Sequence, residues 1–196
     1  MSDIRDDLEK TVDRICEAHC LKEVFMSSEE GTWPQALWQA LQEVGLPQAC
    51  LSEEQGGSGL SYADALFVLR RSAFHGAPVP LAETFLAGRL LSAAGLSVPE
   101  GVLSVSVAHT KDHLQLQGDG EQTRLSGLAH RVPWGLSCDH LVLVAQRDGV
   151  PCVVQVDRQA LALRHGDAPG QGQVAPPFAH AHDRQAGHQP GSGEAG

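Results

Sequence analysis

Residues 97–108, SVPEGVLSVSVA, mark the point at which the hydrophobic pattern of this 196-residue chain changes. Before this stretch, apolar side chains recur every three or four residues. Within it, Val102 and Ser104 fall on one face of an extended segment, and Leu103 falls on the other. A period of three to four residues is typical of helices and a period of two is typical of strands. The sequence therefore predicts a helical part up to residue 97 and an all-β part from residue 98.

Four amphipathic helices are predicted in the first 95 residues. The first continues to Phe25, about six turns, and its apolar stripe includes Ile4, Leu8, Val12 and Ile15. The later helices have residues suited to a helix start at Thr32, Ser61 and Pro80. Glycines that can end helices follow at Gly45, Gly76 and Gly95.

Strand patterns continue after residue 108, at residues 113–117, 123–127, 129–132, 140–145, 152–156 and 160–163. No helical pattern separates them, which favours an antiparallel sheet or partial barrel over a βαβ fold. The predicted fold class is α+β, with an N-terminal helical bundle in residues 1–97. A partial antiparallel β-barrel-like domain follows in residues 98–164.

The last part of the chain, residues 165–196, has a different composition. Its only large apolar residues are Val174 and Phe178, set among Gly, Pro, Ala, Gln and His. Such a segment buries too little apolar surface to offset the entropy lost on ordering. We predict a disordered, low-complexity tail, and the abrupt change suggests the hypothesis of a lost reading frame or a shortened gene.

Composition and charge limit the classes of partner. Apolar residues make up 42% of the chain, charged residues make up 19%, and the net charge is −10. An acidic chain without a basic face is not expected to bind nucleic acid. The acidic N-terminus has no signal-peptide pattern, and no apolar run approaches the ~18 residues of a membrane helix. We therefore expect a cytoplasmic protein with no membrane contact.

The five cysteines are odd in number and lack paired spacing, so we expect reduced thiols. Cys16, His19 and Cys20 could place three metal ligands on one helical face. Structural zinc usually takes four ligands, and no fourth is spaced to join them. We therefore predict no metal site and interpret these residues as buried or half-buried helix positions.

A glycine-rich loop lies between two predicted helices, in the stretch LSEEQGGSGLSYADA at residues 51–65. Such a loop can hold a phosphate, allow two backbones to pack closely, or turn a corner. No Walker lysine follows it and no strand precedes it, as a nucleotide-binding glycine motif would require. We favour a tight corner with close backbone packing.

Several motifs, in order, resemble the acyl-CoA dehydrogenase family over residues 1–164, and especially its shorter bacterial members. Each motif is weak alone, but their order and spacing make the resemblance fairly specific. They are WQALQEVGL at 38–46, EEQGGSGL at 53–60, APVPLAET at 77–84, LSG at 125–127, VPWG at 132–135 and DHLVLVA at 139–145.

The resemblance implies a flavoprotein oxidoreductase of lipid metabolism. Such an enzyme removes the α-proton of an acyl-CoA thioester with a carboxylate base, while FAD takes a hydride from the β-carbon. It also implies a homo- or hetero-oligomer. The positions matching the family's flavin-contacting segments are His109, Thr110, Val132, Pro133 and Trp134.

The sequence departs from the family pattern in three places. The usual base comes from a C-terminal helical bundle that nothing after Leu163 resembles, so no catalytic residue is assigned. The family's T-E-P-x-x-G-S-D loop is replaced by residues 108–112, and its W-I-T/S segment by residues 131–133. Three hypotheses stay open: a truncated dehydrogenase inactive alone, a non-catalytic subunit of a heteromeric dehydrogenase, or an unrelated α+β interaction module.

Overall fold

The computed structural model describes residues 2–106, 112–118, 123–165, 171–175, 179–180 and 182–184. Its helices are α1 (Ser2–His19), α2 (Lys22–Glu29), α3 (Gln35–Glu43), α4 (Tyr62–Phe74) and α5 (Leu81–Ala93). Its strands are β1 (Leu103–Val105), β2 (His113–Gln117), β3 (Arg124–Pro133), β4 (His140–Arg147), β5 (Val150–Asp157), β6 (Ala162–His165), β7 (Gln171–Ala175), β8 (Ala179–His180) and β9 (His182–Arg184). Helices followed by a curled sheet confirm the predicted fold class.

The first predicted helix is two helices in the structure. The break falls at Leu21, whose backbone is extended with φ −81° and ψ 159°. Apolar residues continue in helical phase across this point, so hydrophobic spacing alone does not reveal it. The described helical part therefore has five α-helices where the sequence predicted four.

The sheet is mixed, whereas the sequence predicted an antiparallel one. Its strand order is β6-β7-β3-β2-β4-β5-β9, with β1 also pairing with β4 and β8 with β3. Both β1 and β2 run parallel to β4, through pairs such as Ser104 with Leu141 and Gln115 with Gln146. Alternation in a sequence identifies a strand but carries no information on its direction, which explains the difference.

Three short strands fall within the predicted tail. β7 and β8 pair with β3, and β9 pairs with β5. The sequence did not predict these strands, because the segments carry one large apolar residue, Val174. Much of the tail lies outside the described residues, so its disorder stays a prediction, as do the boundaries at residues 97 and 164.

The core joins the helices to the sheet. One cluster of buried side chains includes Trp38 and Leu41 of α3 together with Leu125 and Leu141 of the sheet. A second, smaller cluster lies where α5 packs on the opposite sheet face, and it consists of Ala87, Leu91, Leu103, Val105 and Val142. The helices therefore act as packing partners of the sheet. None of the described helices is long and apolar enough to cross a membrane.

An ion-pair cluster joins α1 to α4. The Asp13 carboxylate accepts hydrogen bonds from Arg71 Nε and Nη2, both at 2.5 Å, and His75 Nε2 lies 2.8 Å from Asp13 Oδ1. The Arg71 hydrogen bonds are the main cause that lowers the pKa of Asp13 from 3.8 to about 2. The ionised form of Asp13 therefore stabilises the contact between these helices.

Replacing Asp13 with asparagine is expected to destabilise the protein by about 2 kcal/mol near neutral pH, because two partly buried donors lose a charged acceptor. The folded-state pKa lies below the unfolded value, so the contribution is complete above about pH 4 and is lost as the pH falls toward 2. Urea unfolding at several pH values measures it. Asp7→Asn, an exposed change on the same helix, should have little effect. An equal loss in both variants would contradict the prediction.

Candidate functional site

The candidate site lies where β3 bends before it leaves the sheet. Arg131 and Trp134 have positive φ values of 53° and 52°, and the pairing of β3 with β7 shifts register between Ala129 and Val132. A non-glycine residue in the left-handed region is strained, and such residues concentrate at functional sites. The segment that matches the family's flavin contact is thus an irregular bend.

Hydrogen bonds and aromatic contacts hold this bend against the rest of the chain. Ser104 of β1 donates its hydroxyl hydrogen bond to the carbonyl oxygen of Pro133. The ring of Trp134 meets Trp33 edge to face, with 6.2 Å between centroids, and Trp33 lies 5.8 Å from Trp38. The bend is therefore positioned by β1 on one side and by the start of α3 on the other.

The structure places the predicted cofactor-binding residues in different environments. The Val132 side chain is fully buried in the core, which leaves only its backbone for contact with a ligand. Pro133 and Trp134 are half-buried beside it. His109 and Thr110 lie outside the described residues. The bend brings Val132, Pro133 and Trp134 together, and their role in cofactor binding stays a prediction.

Asp112 ties the start of β2 to β3. Its Oδ1 accepts a hydrogen bond from the backbone N–H of His130 at 2.9 Å and lies 2.8 Å from His130 Nδ1. The Asp112 side chain is 9% exposed. This contact fixes β3 one residue before the strained Arg131, so it positions the bend.

Ser106, the residue after β1, carries an unpartnered polar atom. Its hydroxyl oxygen is buried and has no hydrogen-bond partner among the described residues. Ser106, Asp112, Gln115 and Gln146 line a cleft of about 170 Å³ at the gap between β1 and β2. Because Ser104 and Ser106 lie on the same face of an extended segment, Ser106 is one pleat away from the contact with Pro133. No local pattern distinguishes Ser106 in the sequence, because serine is common in alternating strand segments.

Glu83 carries a carboxyl group that is partly withdrawn from solvent. It lies half-buried in the first turn of α5, and burial raises the pKa of its carboxyl group. It is the one carboxyl group with a raised pKa among the described residues for which a shift is resolved. Its neighbour Thr84 donates a hydrogen bond to the Leu103 carbonyl oxygen at 3.0 Å, which places Glu83 near the junction of α5 and β1.

The glycine-rich loop packs against its own entry segment. A Cβ atom on Gly57 would lie 2.2 Å from the Leu51 carbonyl oxygen and 2.4 Å from that of Gln48. The backbone N–H groups of Gly57 and Gly59 bond within the loop, to Ser52 and Leu51. The structure confirms the interpretation of this loop as a tight corner with close backbone packing.

Helices packed on a curled, bent sheet make this an α+β chain, and comparisons with known proteins indicate its family. Residues 2–97 match the family described as "Acyl-CoA dehydrogenase, N-terminal domain". The chain is 37% identical over 103 residues to acyl-CoA dehydrogenase IpdE2 of Mycolicibacterium smegmatis. That alignment covers 50% of this chain and 33% of IpdE2. Through its helical part, residues 2–97, the chain belongs to the acyl-CoA dehydrogenase family, which argues against an unrelated module.

Solved structures share its fold. A Tcur3481-Tcur3483 steroid ACAD variant aligns with TM-score 0.78 at 22% identity, covering 93% of this chain and 57% of that one. The ChsE4-ChsE5 complex from Mycobacterium tuberculosis aligns with TM-score 0.77 at 22% identity, covering 93% and 56%. Other structures with this fold, at 13% to 20% identity, are of an electron transferring flavoprotein or of proteins in complex with FMN or FADH2. The chain spans a little over half of these solved relatives.

Proposed function

We propose that this chain supplies the helical and β layers of an FAD-dependent dehydrogenase that introduces a double bond between the α- and β-carbons of an acyl-CoA thioester. The proposal places it in the cytoplasm, within a homo- or hetero-oligomer. Family membership supports the reaction class. The observation that carries the proposal is the strained bend of residues 131–134, held by Ser104, with the unpartnered Ser106 two residues further along the same extended segment.

The residues at this bend suit one edge of a flavin. The ring system of FAD presents carbonyl oxygens and ring nitrogens that need hydrogen-bond partners, and Ser106 has a hydroxyl group without one. Pro133 and the half-buried Trp134 offer an apolar and aromatic surface to a planar ring. When bound, FAD supplies the acceptor for the hydride of the β-carbon. His109, Thr110 and the backbone of Val132 are proposed to complete these contacts.

The residues of this chain would bind and orient the flavin, and they would not remove the α-proton of the substrate. The bend itself, residues 131–134, contains no carboxylate. The carboxylate beside it is that of Asp112, whose Oδ1 is bonded to His130. The proposal therefore assigns no catalytic base here and takes the base from a further helical bundle or a partner chain. On its own, the chain is proposed to be inactive.

A second candidate is a non-catalytic subunit of a heteromeric acyl-CoA dehydrogenase. The ChsE4-ChsE5 structure is a complex of two named proteins, and this chain shares its fold over 93% of its length. In that arrangement the partner would supply the base and most of the flavin contacts. The two candidates differ in whether flavin needs a second gene product.

Flavin retention tests the proposal. The chain is purified alone and after co-expression with neighbouring gene products, and bound FAD is quantified by its absorbance. Flavin bound to the chain alone supports the first candidate, and flavin bound only to a complex supports the second. Colourless protein in both preparations, after reconstitution with excess FAD, would overturn the proposal.

The variant Ser106→Ala sharpens this test in whichever preparation binds FAD. Loss of one hydrogen bond is expected to weaken FAD binding by about three- to tenfold. Stability should not fall, because the hydroxyl group removed has no partner among the described residues. Ser126→Ala, the same change at a half-buried serine of β3 that does not line the cleft, is the control. FAD binding equal in both variants would remove Ser106 from the site.

A further inference from the structure

A second cleft, apart from the bend, opens between the glycine-rich loop and α5. Its volume is about 440 Å³, and its polar side chains are Cys50, Ser52, Gln55, Arg89 and Ser92. It shares no lining residue with the cleft at Ser106. The proposed flavin site therefore does not account for the polar groups of this second cleft.

Hydrogen bonds within the cleft occupy the oxygen of the Gln55 side-chain amide and leave its N–H groups free to donate to a ligand. The hydroxyl groups of Ser52 and Ser92 both donate to Gln55 Oε1, at 3.3 Å and 2.9 Å. The acceptor end of the Gln55 side chain is thus occupied by two donors. Its Nε2 group carries two N–H donors and makes no hydrogen bond to the described residues. The loop and α5 are held together by this amide.

Arg89 adds a cation to the same cleft. It is exposed on α5, three residues before Ser92, so the two side chains lie on one helical face. Its guanidinium group forms no ion pair with the carboxylates of the described part of the chain. A planar fork of N–H donors beside an amide donor matches a carboxylate, which accepts hydrogen bonds on both oxygens.

The rest of the lining is apolar. Leu51 is 5% exposed at the base of the cleft, and Leu60 and Ala93 also line it. A ligand held by Arg89 and Gln55 would therefore place an aliphatic part against leucine side chains. A strongly hydrated anion such as inorganic phosphate would leave this surface unused.

We propose that the cleft between the glycine-rich loop and α5 binds a small aliphatic carboxylate, with Arg89 and Gln55 holding the carboxylate and Leu51 and Leu60 contacting the chain. The anion compensates the unpaired guanidinium charge. This site is independent of flavin and of the proposed dehydrogenase reaction.

Cys50 provides a built-in reporter of occupancy. Burial raises the pKa of its thiol to about 11, and the nearby Arg89 guanidinium opposes that shift. A ligand in the cleft would cover this thiol. Cys20, the residue after the end of α1, has a lowered pKa because the Cys16 thiol hydrogen-bonds to it. It reacts independently of the cleft and serves as an internal control in the same sample.

The experiment measures iodoacetamide alkylation of the full chain, peptide by peptide, with butyrate or its neutral isostere butyramide. Butyrate at ten times its Kd should slow Cys50 alkylation about tenfold, while Cys20 alkylation is unchanged. Butyramide should have no effect at the same concentration. For each variant, the rate of Cys50 alkylation without butyrate is divided by the rate with butyrate, because removing Arg89 also changes the basal reactivity of Cys50.

Arg89→Gln should weaken butyrate protection by about tenfold or more, and Arg89→Lys should give an intermediate loss. Arg14→Gln removes the same charge from an exposed position on α1. In this variant butyrate should protect Cys50 as well as it does in the unaltered chain. Protection that persists in Arg89→Gln, equal protection by butyramide, or no protection by butyrate would each overturn the proposal. None of these outcomes depends on whether FAD binds.

Discussion

Replacing Gly127 with alanine is expected to have the largest effect of any single substitution considered for this chain, a loss of at least about 4 kcal/mol of stability. A Cβ atom there would lie 1.6 Å from the His113 carbonyl oxygen and 2.7 Å from its carbon. Both belong to the backbone of β2, so no side chain can rotate away. Gly127 also has φ +126°, which alanine avoids.

The expected result follows from the position of Gly127 in the sheet. It pairs with Leu114 in the register between β2 and β3, and Leu125 of the same strand is fully buried. Moving the strands apart to admit a methyl group would therefore disturb the core as well. Urea unfolding followed by far-UV circular dichroism measures the loss, and expression as insoluble protein would agree with it.

Gly149→Ala is the matched control for Gly127. Gly149 also has positive φ, +80°, but a Cβ there would meet no atom within 4 Å. The control therefore carries only the backbone strain, about 1 kcal/mol. Similar losses in both variants would show that the close approach of β2 to Gly127 is not what limits stability.

Replacing Gly57 with alanine is expected to cost about 3 kcal/mol or more, because the methyl group would overlap two backbone carbonyl oxygens. Those oxygens belong to Leu51 and Gln48, at 2.2 Å and 2.4 Å from the added atom. Leu51 is buried, so the loop cannot relax outward without exposing it. The same shift would move Gln55 and weaken the carboxylate cleft.

Gly56→Ala separates close packing from backbone strain in the same loop. Gly56 has φ +83° and open space around its Cβ position, so a loss of only about 1 kcal/mol is expected. Urea unfolding of the two variants side by side gives the comparison. A Gly56→Ala loss as large as that of Gly57→Ala would contradict a packing role for Gly57.

Much of the fold could be predicted from the sequence, because local signals and burial agree there. The change from helical to alternating spacing correctly separated the helices from the sheet. Ser61 caps α4 as expected, accepting a hydrogen bond from the Asp64 N–H. The break at Leu21 and the parallel pairing of β1 and β2 with β4 were not predictable in this way. The break leaves the hydrophobic spacing unchanged, and the parallel pairing depends on tertiary contacts that this spacing does not encode.

The candidate site was less predictable than the fold. The motif at residues 132–135 overlaps the segment that forms the bend, but the burial of Val132 and the strain at Arg131 and Trp134 arise from the bend itself. Ser106 became notable only through the absence of a hydrogen-bond partner in the described structure. The cleft at Arg89 joins residues about thirty positions apart in the sequence, a proximity that no local pattern in either segment indicates.

The contact between the bend and the start of α3 has a practical consequence for spectroscopy. The chain contains three tryptophans, and Trp33, Trp38 and Trp134 all lie in that one aromatic cluster. Intrinsic emission of this protein therefore arises from a single location, the interface between the helical layer and the sheet. A shift of its emission maximum would report separation of the two layers, while fraying of β5 or β9 would leave the signal unchanged.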